Sequence, residues 1–227
     1  MRAILKKELK SYFLSPIGYV VIGIFLLCFS VFFYVTVFTQ GSVDLGALYY
    51  YTALYGLIII APILTMRMFA EERKTGTEQL LLTSPVSITK IVMGKLFAAL
   101  FVILITLVLS LMFFAIISFF GATNIVSTLV AILGFVLISV AALSVGMFAS
   151  SITENQIIAG IITIAFLIIS LFAGSINTIF SSFTLIDLYL PFAQGRISIE
   201  STISLILFTL LFISLTIIVL KRRKLVK

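Results

Sequence analysis

The residues best suited to specific chemistry lie in one polar stretch, residues 67–95, between two long apolar runs. Acids and bases recur there at helical spacing: Arg67 and Glu71 are four residues apart, and Lys74 follows Glu71 by three. Such spacings place opposite charges side by side on a helix. These groups suit ion pairing and the docking of another protein rather than the breaking of bonds.

The same stretch predicts two helices separated by breaks. Gly76 can end the first helix in a left-handed conformation, and Thr75 with Glu78 fits the T-x-x-E capping box of a second helix. Pro85 ends that short, leucine-bearing helix, and Ser87 caps the helix that follows. A plain hairpin needs far fewer residues. We therefore interpret the stretch as a docking surface; the alternative is a solvated hairpin with its leucines against the bilayer.

No other part of the sequence offers a catalytic or metal-binding constellation. There is no histidine and one cysteine, which excludes His-based triads, histidine-ligated zinc and a disulfide within the chain. ATP hydrolysis requires the loop G-x-x-x-x-G-K-[ST], but Gly94-Lys95 has Thr89 where glycine is required and is followed by Leu96. The acids outside the polar stretch are scattered singly, as solvated loop groups are. We predict no enzymatic activity, cofactor or metal in this chain.

Composition places the chain in a bilayer. Apolar residues make up 62% of its 227 residues and charged residues only 10%, a balance that a soluble domain cannot bury. Six apolar runs without Asp, Glu, Lys or Arg are each close to the roughly 20 residues that a spanning helix needs. The predicted fold is therefore an all-α integral membrane protein. Its six transmembrane helices are expected at about 17–39, 47–66, 96–119, 125–149, 156–174 and 201–220.

The basic residues predict how these spans are oriented. All 15 Lys and Arg except Arg196 lie before the first span, between the second and third, or after the sixth. By the positive-inside rule these three segments are cytoplasmic, with both chain termini. Residues 1–15 are expected to form a basic amphipathic helix along the inner leaflet. The net charge of +7 reflects this bias and does not indicate nucleic-acid binding.

Two further patterns concern packing. Ala142, Gly146 and Ser150 recur every four residues, and such a small-residue face lets helices approach closely, either within one subunit or between two. Thr153 with Gln156 fits a T-x-x-Q capping box at the start of the fifth span.

The polar stretch resembles the cytoplasmic loop of ABC-2 type transporter permeases, most closely the gliding-motility type. The family pattern is approximately R-x-x-x-E-E-(R/K)-x-x-G-T-x-E-L-L-L-(T/S)-x-P-V-(S/T), with G-K following. Here the acid before the leucines is shifted, as Glu78-Gln79. Phe192, Gly195 and Ile197 resemble a further F-x-x-G-x-I element. In that family the short cytoplasmic helix is a coupling helix, which fits a groove on an ATP-binding subunit and transmits its closure.

We call residues 67–90 the coupling segment. The resemblance implies that the ATPase-coupling residues within it are Glu71, Glu72, Arg73, Gly76, Thr77, Glu78, Leu80, Leu81, Leu82 and Pro85.

The resemblance also implies a function and partners. The chain would be the permease subunit of an ATP-driven ABC-2 exporter in a prokaryotic inner membrane. It would work with two copies of an ABC ATP-binding subunit, which carry the ATP and Mg, and with a second permease copy or homologue, surrounded by membrane lipid.

The loop before the sixth span, residues 175–200, is unusually apolar. It predicts short external helices that dip into the outer leaflet. Phe180, Phe183 and Phe192 are candidate residues of an external gate for a lipid-like or amphipathic substrate.

Two alternative functions stay open. One is an ion-gradient-driven secondary carrier, which the mirrored loop lengths of the two halves favour. The absence of Asp, Glu and His from the spans argues against proton coupling. The other is a non-transporting membrane anchor for a cytoplasmic partner.

Overall fold

The structure is a computed structural model that describes residues 2–39, 44–83, 86–120, 124–172 and 184–226. Within these ranges all the regular structure is helical. Short π-helical turns follow α2 at Tyr34–Thr39 and join α3 to α4 at Thr52–Gly56. The helices are α1 (Arg2–Leu14), α2 (Ile17–Phe33), α3 (Leu45–Tyr51), α4 (Leu57–Thr65), α5 (Ala70–Lys74), α6 (Glu78–Thr83), α7 (Ile88–Phe120), α8 (Ile125–Ile152), α9 (Gln156–Phe172), α10 (Leu185–Ala193) and α11 (Ile199–Val226).

Five helical stretches among the described residues are long and apolar enough to cross a membrane. They are Ile17–Phe38, Leu45–Lys74, Ile88–Phe119, Ile125–Ile152 and Ile199–Lys224. The prediction of an all-helical, multi-pass membrane protein is confirmed. The apolar helix at Gln156–Ser170 is shorter than the other five, and the predicted fifth span, 156–174, extends beyond the described residues. Six spans therefore stay a prediction.

Helix α8 lies at the centre of the fold and contacts α4, α7, α9, α10 and α11. Small residues on α8 make this close packing possible. A Cβ on Gly146 would overlap the Thr65 hydroxyl of α4 and lie 3.0 Å from the Thr163 methyl of α9. At Gly146 the small-residue face therefore packs against other helices of the same chain. Of the two predicted uses of this face, packing within one subunit is confirmed at this position.

Helix α10 (Leu185–Ala193) lies in the segment for which we predicted external helices; its place on the outer side of the membrane stays a prediction. The Tyr189 hydroxyl donates to the Ala131 carbonyl oxygen of α8 at 3.1 Å. Phe192 is fully buried and packs against α8 at Gly134. Of the candidate gate residues, Phe180 and Phe183 lie outside the described residues, so the gate stays a prediction.

Candidate functional site

The coupling segment has the predicted order of helices and breaks. Helix α5 ends at Lys74, Gly76 follows in the left-handed region at φ 75°, and α6 runs over Glu78–Thr83 before α7 begins at Ile88. Pro85 lies outside the described residues. The segment therefore presents a short separate helix between two membrane-crossing stretches.

The predicted capping box at Thr75 and Glu78 is wrong. Thr75 is still helical, at φ −87° and ψ −4°, and its hydroxyl donates to the Glu71 carbonyl oxygen at 2.9 Å. A residue that caps the start of a helix has extended backbone and directly precedes the helix. Thr75 instead ends α5, and Thr77 directly precedes α6.

The turn into α5 is fixed from two sides. Arg67 and Glu71 form the predicted pair with two parallel hydrogen bonds, 2.6 Å from Nε to Oε2 and 2.7 Å from Nη2 to Oε1. The Ser150 hydroxyl oxygen of α8 accepts from the backbone N–H groups of Phe69 (3.0 Å) and Ala70 (3.1 Å). The first N–H groups of a helix have no partner within it. Ser150 therefore caps α5 from another helix.

A buried ionic cluster joins α5 to α1 and α7. Lys95 of α7 is 1% exposed, and its ammonium lies 3.0 Å from Oε1 of both Glu8 and Glu72. The same ammonium donates to the Met68 carbonyl oxygen at 2.7 Å and stands 5.2 Å from the centre of the Phe69 ring. An ammonium has three donors, and these three oxygens match them.

Lys7 completes this cluster at its exposed edge. Its ammonium lies 3.1 Å from Glu72 Oε1 and 3.8 Å from Glu8 Oε1. Partial burial lowers the pKa of Lys7, but the Glu72 and Glu8 carboxylates outweigh that and raise it above its ordinary value. Two positive and two negative charges therefore balance. Among the described residues, the second oxygen of Glu72, Oε2, is buried without a hydrogen-bond partner.

A second ionic cluster joins α5 to the opposite side of the fold. Arg73 pairs with Glu154 at 2.6 Å and donates to the Ile152 carbonyl oxygen at 2.9 Å, at the connection between α8 and α9. Arg73 also lies 3.7 Å from Glu78 of α6, which pairs with Arg223 of α11 at 3.2 Å. We call this the Arg73 cluster and the previous one the Lys95 cluster.

Seven of the ten residues assigned by the resemblance divide into two groups. Glu72 and Glu78 are buried in the two clusters, and Glu71 and Arg73 are half-buried in ion pairs. The outward group consists of Gly76, Thr77 and Leu80, of which Leu80 is 74% exposed. The side chains of Leu81 and Leu82 lie outside the described part of the structure. Among the residues assigned by the resemblance, the outward group is therefore open to a partner.

Sequence reasoning missed two acids of this site. Glu8 and Glu154 were expected to be solvated, yet each pairs with a base on α7 or α5. The sequence of α1 could have indicated that Glu8 is buried. Glu8 is the one acid in this helix, and Tyr12 lies on the same face one turn later. The buried Tyr12 hydroxyl donates to the Leu64 carbonyl oxygen at 2.8 Å.

The predicted capping residue of α9 is also wrong. Asn155 directly precedes α9, and its side chain accepts from the Ile157 N–H at 2.9 Å. Thr153 lies two residues earlier and accepts from the Asn155 N–H instead. The T-x-x-Q pattern therefore does not mark the start of this helix.

The site as a whole is a set of paired charges. Its carboxylates are neutralised by Lys and Arg, and no group of three His, Cys, Asp or Glu able to hold a metal ion is found among the described residues.

Comparison with known proteins identifies a family. A model described as ABC-2 family transporter protein matches residues 34–220, which is most of the chain. The search of curated proteins found no matching relative.

Proposed function

The chain belongs to the ABC-2 family of transporter proteins and is a permease component of an ABC transporter; we propose that it is of the gliding-motility type and couples ATP hydrolysis on a separate subunit to export of a substrate. Its six spans would lie in a prokaryotic inner membrane with both termini in the cytoplasm. The chain itself has no phosphate-binding loop, which supports a separate ATPase.

The proposal rests on two adjacent residues, Glu72 and Arg73, whose side chains contact different parts of the fold. Glu72 belongs to the Lys95 cluster with α1 and α7, whereas Arg73 contacts α6 and the connection between α8 and α9. Helix α5 therefore has polar connections to both sides of the helical body. A displacement of the coupling segment is transmitted to several spans at once.

The polar contacts of α6 support the transmission of a displacement from this helix to the rest of the fold. Helix α6 connects to the body through the Glu78 ion pairs with Arg73 and Arg223, and Leu80 stays exposed. Glu78 is buried and both arginines are only partly exposed. Because separating a buried charge from its partner is costly, α6 moves together with the residues that Glu78 pairs with. A docked ATPase shifts such an arrangement only if it binds one state more tightly than the other.

The proposed assembly contains two ATP-binding subunits with ATP and Mg and a second copy of this chain. Each permease copy would offer its outward group, with Leu80 at the centre, to one ATPase groove. Closure of the ATPase pair would then push on both coupling segments and tilt the spans around a path between the two copies.

Affinity purification from native membranes tests the proposal directly. We expect an ATP-binding protein at near-equal amount, identified by mass spectrometry. Leu80→Asp should remove it, because the charge disfavours burial in an apolar groove, while Leu80→Met should retain it. The amount of each variant in the membrane is the control for insertion. Recovery of the chain alone in several mild detergents would contradict the proposal and favour an ion-gradient-driven carrier.

A further inference from the structure

A basic cavity opens where α7 begins and α11 ends. Its volume is about 540 Å³, and it is lined by two lysines, Lys221 and Lys224, together with Ser87, Ile88 and Thr89. The start of a long helix also carries a partial positive charge. The cavity therefore combines several groups that attract an anion.

The two lysines of this cavity are not neutralised by the protein. Arg223 lies between them in sequence and pairs with Glu78, but neither Lys221 nor Lys224 has an acidic partner among the described residues. The acids at this end of the molecule, Glu8, Glu71, Glu72, Glu78 and Glu154, each pair with another base. A negative charge for the cavity must then come from another molecule.

An apolar groove lies deeper between the same two helices. Its volume is about 220 Å³, and it is lined by Phe97 and Leu100 of α7 and by Ile206 and Leu210 of α11, among others. Thr209 also lines the groove, but its hydroxyl donates to the Leu205 carbonyl oxygen of its own helix at 2.8 Å. The groove therefore suits a hydrocarbon chain.

The cavity and the groove are aligned along α7 and α11. Thr89 and Phe97 are separated by about 12 Å along α7, and Lys221 and Leu210 by about 16 Å along α11, at roughly 1.5 Å per residue. One leaflet of a bilayer has a hydrocarbon depth of about 15 Å. This spacing matches the distance between the phosphate of a phospholipid and its acyl chains.

We propose that the cleft between α7 and α11 binds one anionic phospholipid of the cytoplasmic leaflet. Its phosphate contacts Lys221 and Lys224, and one acyl chain occupies the groove beside Phe97 and Leu210. The basic end faces the cytoplasm by the positive-inside rule, and basic pockets between spanning helices on that side suit anionic headgroups. The site does not depend on ATP coupling.

Native mass spectrometry of the purified chain with added phosphatidylglycerol tests the headgroup contact. Lys221→Gln with Lys224→Gln should weaken binding about 25-fold, since each basic residue near an anionic surface contributes roughly fivefold. The matched control is Lys90→Gln with Arg222→Gln, which removes the same charge from exposed residues that do not line the cavity. An equal loss in the control pair would overturn the proposal.

A second pair of measurements separates a lipid from a free phosphate. Leu210→Phe, at a half-exposed position, should narrow the groove and weaken phosphatidylglycerol binding several-fold. Glycerol 3-phosphate should compete poorly with the lipid. Competition as strong as that of the lipid would identify a free-phosphate site, and equal binding of phosphatidylcholine would identify unselective lipid contact. Either result would overturn the proposal.

Discussion

The ammonium of Lys95 on α7 lies 3.0 Å from Oε1 of Glu8 on α1, although 87 residues separate the two in sequence. The pair is buried, and Glu72 shares the same ammonium at 3.0 Å. Helix α1 is therefore attached to the helical body at a specific point, beyond whatever attraction its basic residues have for the membrane surface.

Lys95→Met should destabilise the protein by about 3 kcal/mol, because it leaves the two buried carboxylates of Glu8 and Glu72 with Lys7, at the exposed edge of the cluster, as their one remaining counter-charge. Thermal or denaturant unfolding in detergent measures the change. The control is Lys90→Met on the same helix, at an exposed position, with an expected change within about 0.5 kcal/mol. Equal stability of the two variants would show that the Lys95 cluster does not form.

Arg223→Gln should lower the ATPase activity of the assembled transporter without preventing assembly. Arg223 pairs with Glu78 of α6, so its loss disconnects the coupling segment from α11, while Leu80 remains available for docking. ATP hydrolysis by the reconstituted complex is the measurement. Arg222→Gln, its exposed neighbour, should behave as the wild type; if both variants lose activity alike, the effect is one of overall charge.

Ser150→Ala should cost about 1–3 kcal/mol, because the N–H groups of Phe69 and Ala70 are buried and lose their acceptor. Ser144→Ala on the same helix is the matched control, since the Ser144 hydroxyl donates only to the Ala141 carbonyl oxygen of its own helix. Hydrogen exchange at α5 should accelerate in Ser150→Ala. Unchanged protection there would argue against the cap.

Gly146→Ala should destabilise the packing of α8 by several kcal/mol, because the added methyl overlaps the Thr65 hydroxyl. Gly23→Ala is the control, since a Cβ there meets nothing within 4 Å, and alanine is the better helix former. Unfolding in detergent compares the two.

A rescue experiment sharpens the Gly146 prediction. Thr65→Ala removes the hydroxyl, which is the group closest to the new methyl, but keeps the Thr65 Cβ at 2.8 Å; it should recover part of the loss in the Gly146→Ala background. Additive effects of the two substitutions would show that α4 and α8 are not in contact there.

The local features of the coupling segment could be predicted from sequence because each depends on residues within one or two turns. The Arg67–Glu71 pair and the left-handed Gly76 are of this kind. The error at Thr75 is also local. The sequence around Thr75 fits both the end of α5 and the start of α6. Because the left-handed Gly76 ends α5, Thr75 keeps a helical backbone and cannot cap α6.

The two ionic clusters could not be predicted, because their members come together only after the spans pack. Nothing within several residues of Glu154 indicates that Arg73, 81 positions earlier, will lie 2.6 Å away. Similarly, Ser150 is a small residue on a predicted packing face, and its role as a cap for α5 follows from the crossing of α4 and α8. The helical, multi-pass class of the fold was predictable from composition, but these tertiary contacts were not.

The sequence separation of Glu8 and Lys95 also determines the order in which the molecule can be built. At about 5–20 residues per second, the 87 positions from Glu8 to Lys95 take roughly 4–17 seconds to translate. During that interval α1 has been synthesised, but Lys95, the buried partner of Glu8, has not. Helix α1 therefore cannot complete the Lys95 cluster until the start of the third apolar stretch, Ile88–Phe119, has been synthesised, and its docking reports that this point in synthesis has been passed.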